Sequence, residues 1–241
     1  MPPARYARSM KPKTLDHVAL WVTDRQRIAD FTTENLGMHV VDQTDRFTLV
    51  GSDARRGKLT LFDAEGPRQR GALEHVALRV NRLDRALDAI SGDVQVERQD
   101  GAAYFDLYEG LRIGLVEADT AVDYDLDHVA LRSADPQRTA EEYRMLGFAA
   151  VPPGQAAAPR VEVGGAFVEF HPGDPSDGGE PLLNHLAVLV DSADDHIDEA
   201  KELGVEIADV VDAPNTYAVF LWGPEGVKIE YVEHKPTFSL R

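Results

Sequence analysis

Four near-copies of one short segment constrain the fold of this chain more than any other feature. The copies are LDHVALWVTD from Leu15, LEHVALRVNR from Leu73, LDHVALRSAD from Leu126 and LNHLAVLVDS from Leu183. Their histidines, separated by 58, 53 and 57 residues, are His17, His75, His128 and His185. A nearly constant period of this kind predicts tandem copies of one structural unit.

Each copy predicts a strand followed by a helix. In the third copy, His128 and Ala130 alternate with Val129 and Leu131, as in a strand with two different faces. The next segment of each copy carries apolar residues at helical spacing. Three copies then have a glycine that can end the helix, namely Gly37, Gly147 and Gly204. In the second copy Ser91-Gly92 takes this place. Shorter apolar runs then predict three more strands, so the unit is βαβββ.

A unit of about 55 residues is too small to bury a sheet and a helix well, so the units are expected to pair. Neighbouring units are expected to pair with each other. This organisation predicts an α+β chain with two domains, residues 13–120 and 121–241, preceded by a disordered tail at residues 1–12.

Composition narrows the possible partners. The net charge of -17 disfavours nucleic acid and membrane surfaces, which leaves a small molecule as the expected ligand. No apolar run approaches the roughly 20 residues of a membrane span. The absence of a secretory signal favours a cytoplasmic location, and cysteine chemistry is excluded because the chain has no cysteine. A homo-oligomer is possible, although no segment indicates an interface.

The tandem βαβββ units, each opened by a histidine, resemble the vicinal oxygen chelate superfamily from about residue 13 to 235. This superfamily includes glyoxalase I, extradiol ring-cleaving dioxygenases, methylmalonyl-CoA epimerase and the bleomycin- and fosfomycin-resistance proteins. The resemblance implies that paired units form curved mixed sheets around a divalent metal ion such as Fe, Mn, Ni, Co or Zn. Its ligands would come from the first and last strands of each unit.

In the second half of the chain, two glutamates lie in strands that suit such a role. Glu230 in GVKIEYVEHK lies between Ile229 and Tyr231, and Glu169 in GAFVEFHPGD has a similar setting. A carboxylate that shares a strand with core residues needs a partner if it is buried. The resemblance implies a metal site formed by His128, Glu169, His185 and Glu230, with Glu169 or Glu230 also acting as the catalytic base.

The first half has lost both carboxylates in the same alignment. Leu61 occupies the position of Glu169, and Gly114 occupies the position of Glu230. Two histidines alone make a poor site for a divalent ion. The first half is therefore predicted to be metal-free, with His17 and His75 as hydrogen-bonded structural residues.

Three functions remain open. A four-ligand site resembles glyoxalase I and implies a lyase, isomerase or epimerase that stabilises an enolate on two chelated substrate oxygens. An extradiol dioxygenase acting on a catechol with Fe(II) is the alternative. Pro224 and Glu230 match the sequence pattern of these enzymes, but Phe220 stands where they have a tyrosine. A second glutamate ligand would also fill a position that oxygen needs on the metal. A ligand-sequestering protein like the bleomycin-resistance group is the third.

Four residues are predicted to contact the substrate. Arg132 lies four residues after His128 on the same strand face and could bind a substrate carboxylate or phosphate. Phe220 and Trp222 alternate onto the predicted site as an apolar wall, and His171 shares a face with Glu169. The remaining histidines, His39, His196 and His234, are expected to face solvent.

Overall fold

The computed structural model describes residues 10–152, 156–176 and 178–240. Within these ranges the chain forms four successive units, each with one helix and four strands, which confirms the predicted βαβββ repeat. The predicted tail falls mainly on residues 1–9, which lie outside the described residues. Met10, which was included in that tail, is fully buried in the core. No helix within the described ranges is long and apolar enough to cross a membrane.

The first two units occupy the first half of the chain. Unit 1 contains β1 (Thr14–Val22), α1 (Arg25–Asn35), β2 (His39–Gln43), β3 (Phe47–Gly51) and β4 (Lys58–Asp63). Unit 2 contains β5 (Leu73–Val80), α2 (Leu83–Asp88), β6 (Val96–Gln99), β7 (Ala102–Asp106) and β8 (Arg112–Glu117).

The last two units repeat this order. Unit 3 contains β9 (Asp125–Ser133), α3 (Pro136–Met145), β10 (Ala149–Ala150), β11 (Arg160–Val163) and β12 (Ala166–Pro172). Unit 4 contains β13 (Leu183–Leu189), α4 (Ala193–Leu203), β14 (Ile207–Asp212), β15 (Thr216–Trp222) and β16 (Lys228–His234).

Glycine conformation follows the prediction in three of the four helices. Gly37, Gly147 and Gly204, at the ends of α1, α3 and α4, have φ angles of 64°, 95° and 70°. At Gly147 space is also limiting, because a Cβ atom there would lie 2.0 Å from the carbonyl oxygen of Met10. The second helix ends differently from the prediction. Its C-cap is Ala89, in a right-handed conformation, and it does not extend to Gly92.

The units pair differently from the prediction of neighbouring pairs 13–120 and 121–241. Sheet 1 has the strand order β14-β15-β16-β13-β1-β4-β3-β2 and joins units 1 and 4. Sheet 2 has the order β10-β11-β12-β9-β5-β8-β7-β6 and joins units 2 and 3. In each sheet two first strands meet antiparallel, β1 with β13 and β5 with β9. All four first strands offer nearly the same edge for pairing, so the repeated sequence alone does not specify which two units pair.

One face of each sheet carries the shared core, which also contains the helices. Val18 and Leu20 of β1 point to this face and are fully buried. Phe31 of α1 meets Phe105 of β7 with 6.0 Å between ring centroids, so units from both sheets contribute to a single core. The opposite faces carry the repeat histidines. We call the histidine face of sheet 1 cup 1 and that of sheet 2 cup 2.

Candidate metal centres

A β-bulge precedes the histidine of every repeat. The strand register skips one residue at each of these places, namely at Asp16, Glu74, Asp127 and Asn184. A bulge leaves its extra residue outside the ladder and re-aims the side chain. Three of these side chains accept a hydrogen bond from Nδ1 of the following histidine, at 2.8 Å for Asp16, 2.7 Å for Asp127 and 3.0 Å for Asn184. Such a contact fixes the tautomer and leaves Nε2 available to a metal.

Cup 1 brings together His17, His185 and Glu230. The two Nε2 atoms lie 3.1 Å apart, and Oε2 of Glu230 lies 3.2 Å from Nε2 of His17 and 2.9 Å from Nε2 of His185. Adjacent donors in an octahedral site lie about 3.0 Å apart when the metal–ligand bonds are about 2.1 Å. The spacing therefore fits three ligands on one face of an octahedral ion.

The buried groups of cup 1 carry opposite charges that shift each other's pKa. Burial opposes charge on His17, but the carboxylates of Glu230 and Asp16 outweigh it and raise the pKa of His17 to about 9. Burial also opposes charge on Glu230, yet His185 and His17 lower its pKa to about 2. Burial lowers the pKa of His185. A proton on His17 thus supplies the positive charge that a metal would supply in its place.

Cup 2 brings together His75, His128 and Glu169. The histidine Nε2 atoms lie 2.9 Å apart, and Nε2 of His128 lies 3.7 Å from Oε1 of Glu169. The donor atoms of each cup lie within 4.8 Å of one another, so both sets fit a divalent ion. Burial, helped by His128 and His171, lowers the pKa of His75 to about 3, so this ring is neutral at neutral pH.

The predicted four-ligand site is therefore not formed. Glu169 and His128 lie in sheet 2, whereas Glu230 and His185 lie in sheet 1. The reason is the exchanged pairing of the units, which gives each cup one carboxylate. His17 and His75, predicted to be structural residues of a metal-free half, are instead members of the two triads.

The fourth equivalent position differs between the cups. Glu230 pairs with Ala187 and Glu169 with Ala130, each two residues after a repeat histidine. In unit 1 the same register pairs Thr60, not the predicted Leu61, with Ala19. In unit 2 it pairs Gly114 with Ala77, as predicted.

Aromatic rings surround the cup 1 triad. Phe220, predicted to contact substrate, lies 5.1 Å from the His185 ring, centroid to centroid, and Phe62 lies 6.2 Å from it. Trp21 contacts Phe62 at 5.4 Å and Phe47 contacts it at 5.8 Å. Trp21 is four residues after His17, the position that holds an arginine in units 2 and 3. Cup 1 therefore has an aromatic wall that only the pairing of units assembles.

The other predicted substrate residues lie elsewhere. Arg132 belongs to cup 2, where its Nε donates to Glu74 at 2.6 Å. His171 is also in cup 2, with Nε2 2.8 Å from Oε1 of Glu169. Trp222 is 43% exposed at the end of β15 and borders a crevice with Met145 and Leu203.

Sequence reasoning missed a buried charge network behind His17. Lys58 and Asp16 are 3% and 2% exposed, and Lys58 Nζ donates to Asp16 Oδ1 at 2.7 Å. His234, expected to face solvent, lies with Nε2 3.0 Å from Oδ2 of Asp16. His196 is likewise buried. The polar residue immediately before each repeat histidine was the available signal for Asp16, whereas nothing in the sequence links Lys58 or His234 to it.

Proton release distinguishes the two cups. A metal needs the lone pair on Nε2, so binding in cup 1 displaces the proton that His17 carries below a pKa of about 9. We expect close to one proton released per ion at pH 7 in cup 1, and affinity that falls as the pH falls. Cup 2 should release no proton from His75. Calorimetry in buffers of different ionisation enthalpy measures the number of protons released on metal binding. The variant His128→Ala leaves cup 1 intact, and His185→Ala leaves cup 2 intact. Equal proton release from the two variants would contradict the prediction.

The chain belongs to the Glyoxalase/Bleomycin resistance protein/Dioxygenase superfamily, whose profile matches residues 14–112 and 125–231. The repeat fold and the family resemblance predicted from the sequence are thereby confirmed. No curated protein matches this chain.

Solved structures share the fold over most of the chain. A Bacillus subtilis subsp. subtilis str. 168 protein named "putative dioxygenase" superposes with a TM-score of 0.77 at 18% identity, covering 95% of this chain and 88% of its own. Glyoxalase I from Zea mays has a TM-score of 0.68 at 18% identity and covers 91% and 92%. The cppA protein from Streptococcus pneumoniae TIGR4 has 0.63 at 15% identity and covers 92% and 98%. These identities establish the shared fold alone.

Proposed function

We propose that this chain is a metal-dependent dioxygenase that acts in cup 1 on an aromatic substrate carrying two neighbouring oxygens. The observation that carries the proposal is the triad of His17, His185 and Glu230. Two imidazoles and one carboxylate on one face of an ion, with the other positions open, are typical of non-haem Fe(II) oxygenases. When bound, the ion supplies Lewis acidity to the chelated oxygens and the redox chemistry of oxygen activation.

The separation of the two glutamates supports this choice over a glyoxalase-like enzyme. The sequence favours a lyase or isomerase because it predicts four converging ligands, including a second glutamate that would occupy a position needed by oxygen. Of the two candidate glutamates, Glu230 lies in cup 1 and Glu169 in cup 2, and Thr60 holds the fourth equivalent position of cup 1. The objection to ring cleavage that rested on a second carboxylate therefore no longer applies.

The aromatic wall supports a planar substrate. Phe220 and Phe62 approach His185 from different strands, so a ring chelated beside His185 would lie among apolar faces. Apolar walls exclude water and strengthen electrostatic interactions at the ion. Asp16 and Asn184 accept from Nδ1 of the two imidazoles, which would leave Nε2 of each ring available to coordinate an ion. The name of the Bacillus subtilis neighbour is in line with this chemistry, although at 18% identity it shows the fold alone.

Oxygen uptake with metal-defined protein tests the proposal. Protein loaded anaerobically with Fe(II) should consume one O₂ per substrate with a panel of catechols and hydroquinones. Cleavage of a ring carbon–carbon bond places both atoms of ¹⁸O₂ in the product. Zn(II)-loaded protein should be inactive, and exposed His39→Ala is the control for loss of a histidine.

Two outcomes would replace the proposal. No oxygen uptake, but metal-dependent exchange of solvent deuterium at the α-carbon of a hydroxycarbonyl compound, would indicate the lyase or isomerase alternative. Tight ligand binding without turnover, in protein that takes up no metal, would indicate a sequestering protein.

A further inference from the structure

His234 stands outside the repeat pattern of the chain. It lies four residues after Glu230 in β16, on the same strand face as that residue. The corresponding positions of the other three units hold small residues, namely Ala64, Ala118 and Gly173. An imidazole occurs at this position in the last unit only, so the repeat itself does not account for it.

The imidazole of His234 reaches the residue that orients His17. Its Nε2 lies 3.0 Å from Oδ2 of Asp16, and Oδ1 of Asp16 accepts from Nδ1 of His17 at 2.8 Å. Neither Oδ2 of Asp16 nor a ring nitrogen of His234 has a hydrogen-bond partner elsewhere in the described part of the chain. The side chains of Asp16 and His234 are 2% and 9% exposed, so little water can take the place of this contact.

This contact joins the two strands that supply His17 and Glu230. Asp16 precedes His17 in β1, and His234 follows Glu230 in β16. Strand β13, which supplies His185, lies between β1 and β16 in sheet 1. Strands two places apart in a sheet are about 10 Å apart, so the contact spans β13. The spacing of the donors contributed by β1 and β16 therefore depends on His234.

The segment that follows β16, residues 235–239, covers His234. The Phe238 ring stacks on the His234 ring, with centroids 4.2 Å apart and planes 13° from parallel. The backbone N–H of Phe238 donates to the carbonyl of Lys235 at 2.9 Å, which holds the segment in a turn. The guanidinium of Arg55, between β3 and β4 of unit 1, lies 5.3 Å from the Phe238 centroid. The stacked ring limits the orientations that His234 can adopt.

The corresponding carboxylate of cup 2 is supported differently. Asp127 accepts from Nδ1 of His128 at 2.7 Å, and its other oxygen lies 3.5 Å from Nε of Arg79. Arg79 belongs to β5, a first strand, whereas His234 belongs to a last strand. The support that links a first strand to a last strand is thus a feature of cup 1.

We propose that His234 is a positioning residue for the ion of cup 1. It holds the carboxylate of Asp16, which in turn holds the ring of His17, and residues 235–239 keep His234 in place. Partners behind the ligands commonly set metal affinity in this way. The inference rests on the metal centre of the proposed function but not on its oxygen chemistry, so it applies whichever reaction cup 1 catalyses.

Cobalt(II) binding to cup 1 tests this role. In a His128→Ala background, which disables cup 2, the parent protein should bind one equivalent of Co²⁺. Adding His234→Leu should weaken this binding by about tenfold or more, because Asp16 loses the group that holds Oδ2. Adding His234→Gln should keep most of the affinity, because the amide nitrogen can donate from about the same place. Phe238→Leu should have a smaller effect in the same direction as His234→Leu.

A measurement on the metal-free protein makes the same comparison without an ion. Nuclear magnetic resonance follows the exchange with water of the Nδ1–H of His17, which donates to Asp16. Exchange should be slow in the parent protein, faster after His234→Leu and slow again after His234→Gln. A side chain that only fills space would not distinguish leucine from glutamine in this way.

Matched variants keep the result interpretable. His39→Leu makes the same chemical change at an exposed histidine of sheet 1 and should leave Co²⁺ affinity unchanged. In a His185→Ala background, which leaves only cup 2, His234→Leu should have no effect, and melting temperatures check that every variant is folded. The proposal is overturned if His234→Leu binds Co²⁺ as tightly as the parent, or if His234→Gln binds as weakly as His234→Leu. A parent protein that binds no Co²⁺ would overturn the metal centre and this proposal together.

Discussion

Replacing His185 with alanine should remove the cup 1 metal and lower turnover at least about a thousandfold. His185 provides one of three donors, and two donors do not hold a divalent ion firmly. Loss of the metal's stabilisation of a charged transition state, about 4 kcal/mol, corresponds to that factor. Metal content by mass spectrometry should fall by one equivalent, and oxygen uptake should fall with it. Glu230→Gln should behave in the same way.

The chain contains its own control for this experiment. His128→Ala makes the same change at the equivalent position of cup 2, where His128 is the partner of Glu169. It should remove the other equivalent of metal and leave the catalytic constants of cup 1 within about twofold at a temperature where the variant is folded. Equal loss of turnover in both variants would show that the assignment of catalysis to cup 1 is wrong.

Replacing Lys58 with methionine should destabilise the fold by about 3 to 5 kcal/mol. The change leaves the carboxylate of Asp16 buried without Lys58, the strongest of its cationic partners, and breaking one side of a buried ion pair has a cost of this size. Burial works against the ionised form of Asp16, but Lys58, followed by His17 and His234, holds its pKa well below the usual value. Urea denaturation of the metal-free protein measures the loss.

A second substitution should recover most of that stability. Unit 4 has Asn184 at the bulge, where its oxygen still accepts from His185 Nδ1 without carrying a charge. Asp16→Asn combined with Lys58→Met copies that arrangement and should lose much less than the sum of the single changes. Lys228→Met is the matched control, because Lys228 occupies the same register position in unit 4 and is less buried. If Lys58→Met is no worse than Lys228→Met, the buried pair does not stabilise the fold.

The two cups show how copies of one repeat can surround the same pair of histidines differently. Both keep the bulge and the pair of histidines, because these residues lie within the repeated segment itself. They differ at positions contributed by later strands, such as Val232 against His171 and Thr60 against Gly114. The residues four positions after the histidines differ as well, since Trp21 and Leu189 in cup 1 correspond to Arg79 and Arg132 in cup 2. The two triads therefore have different surroundings, apolar in cup 1 and more polar in cup 2.

Several parts of the site were accessible from local pattern alone. The alternation around Glu230 and Glu169 predicted that both carboxylates would leave the core face, and both belong to a triad. Phe220 was placed beside the metal ligands by the same alternation and does contact His185. The assignment of Leu61 was wrong by one residue, because the turn between β3 and β4 sets the register and its length is not evident from the sequence. Trp222 shows that alternation alone does not predict exposure at a strand end.

The sequence by itself determined the repeat, its βαβββ order and the residue types that can hold a metal, because periodicity and alternation are local properties of the chain. Only the tertiary structure decided which triads exist. Four first strands with nearly the same edge can pair in more than one way, and each choice is made through side chains distant in the sequence. Pairing units 1 with 4 and 2 with 3 gave each cup two histidines and one glutamate, where neighbouring pairs would have put both glutamates together.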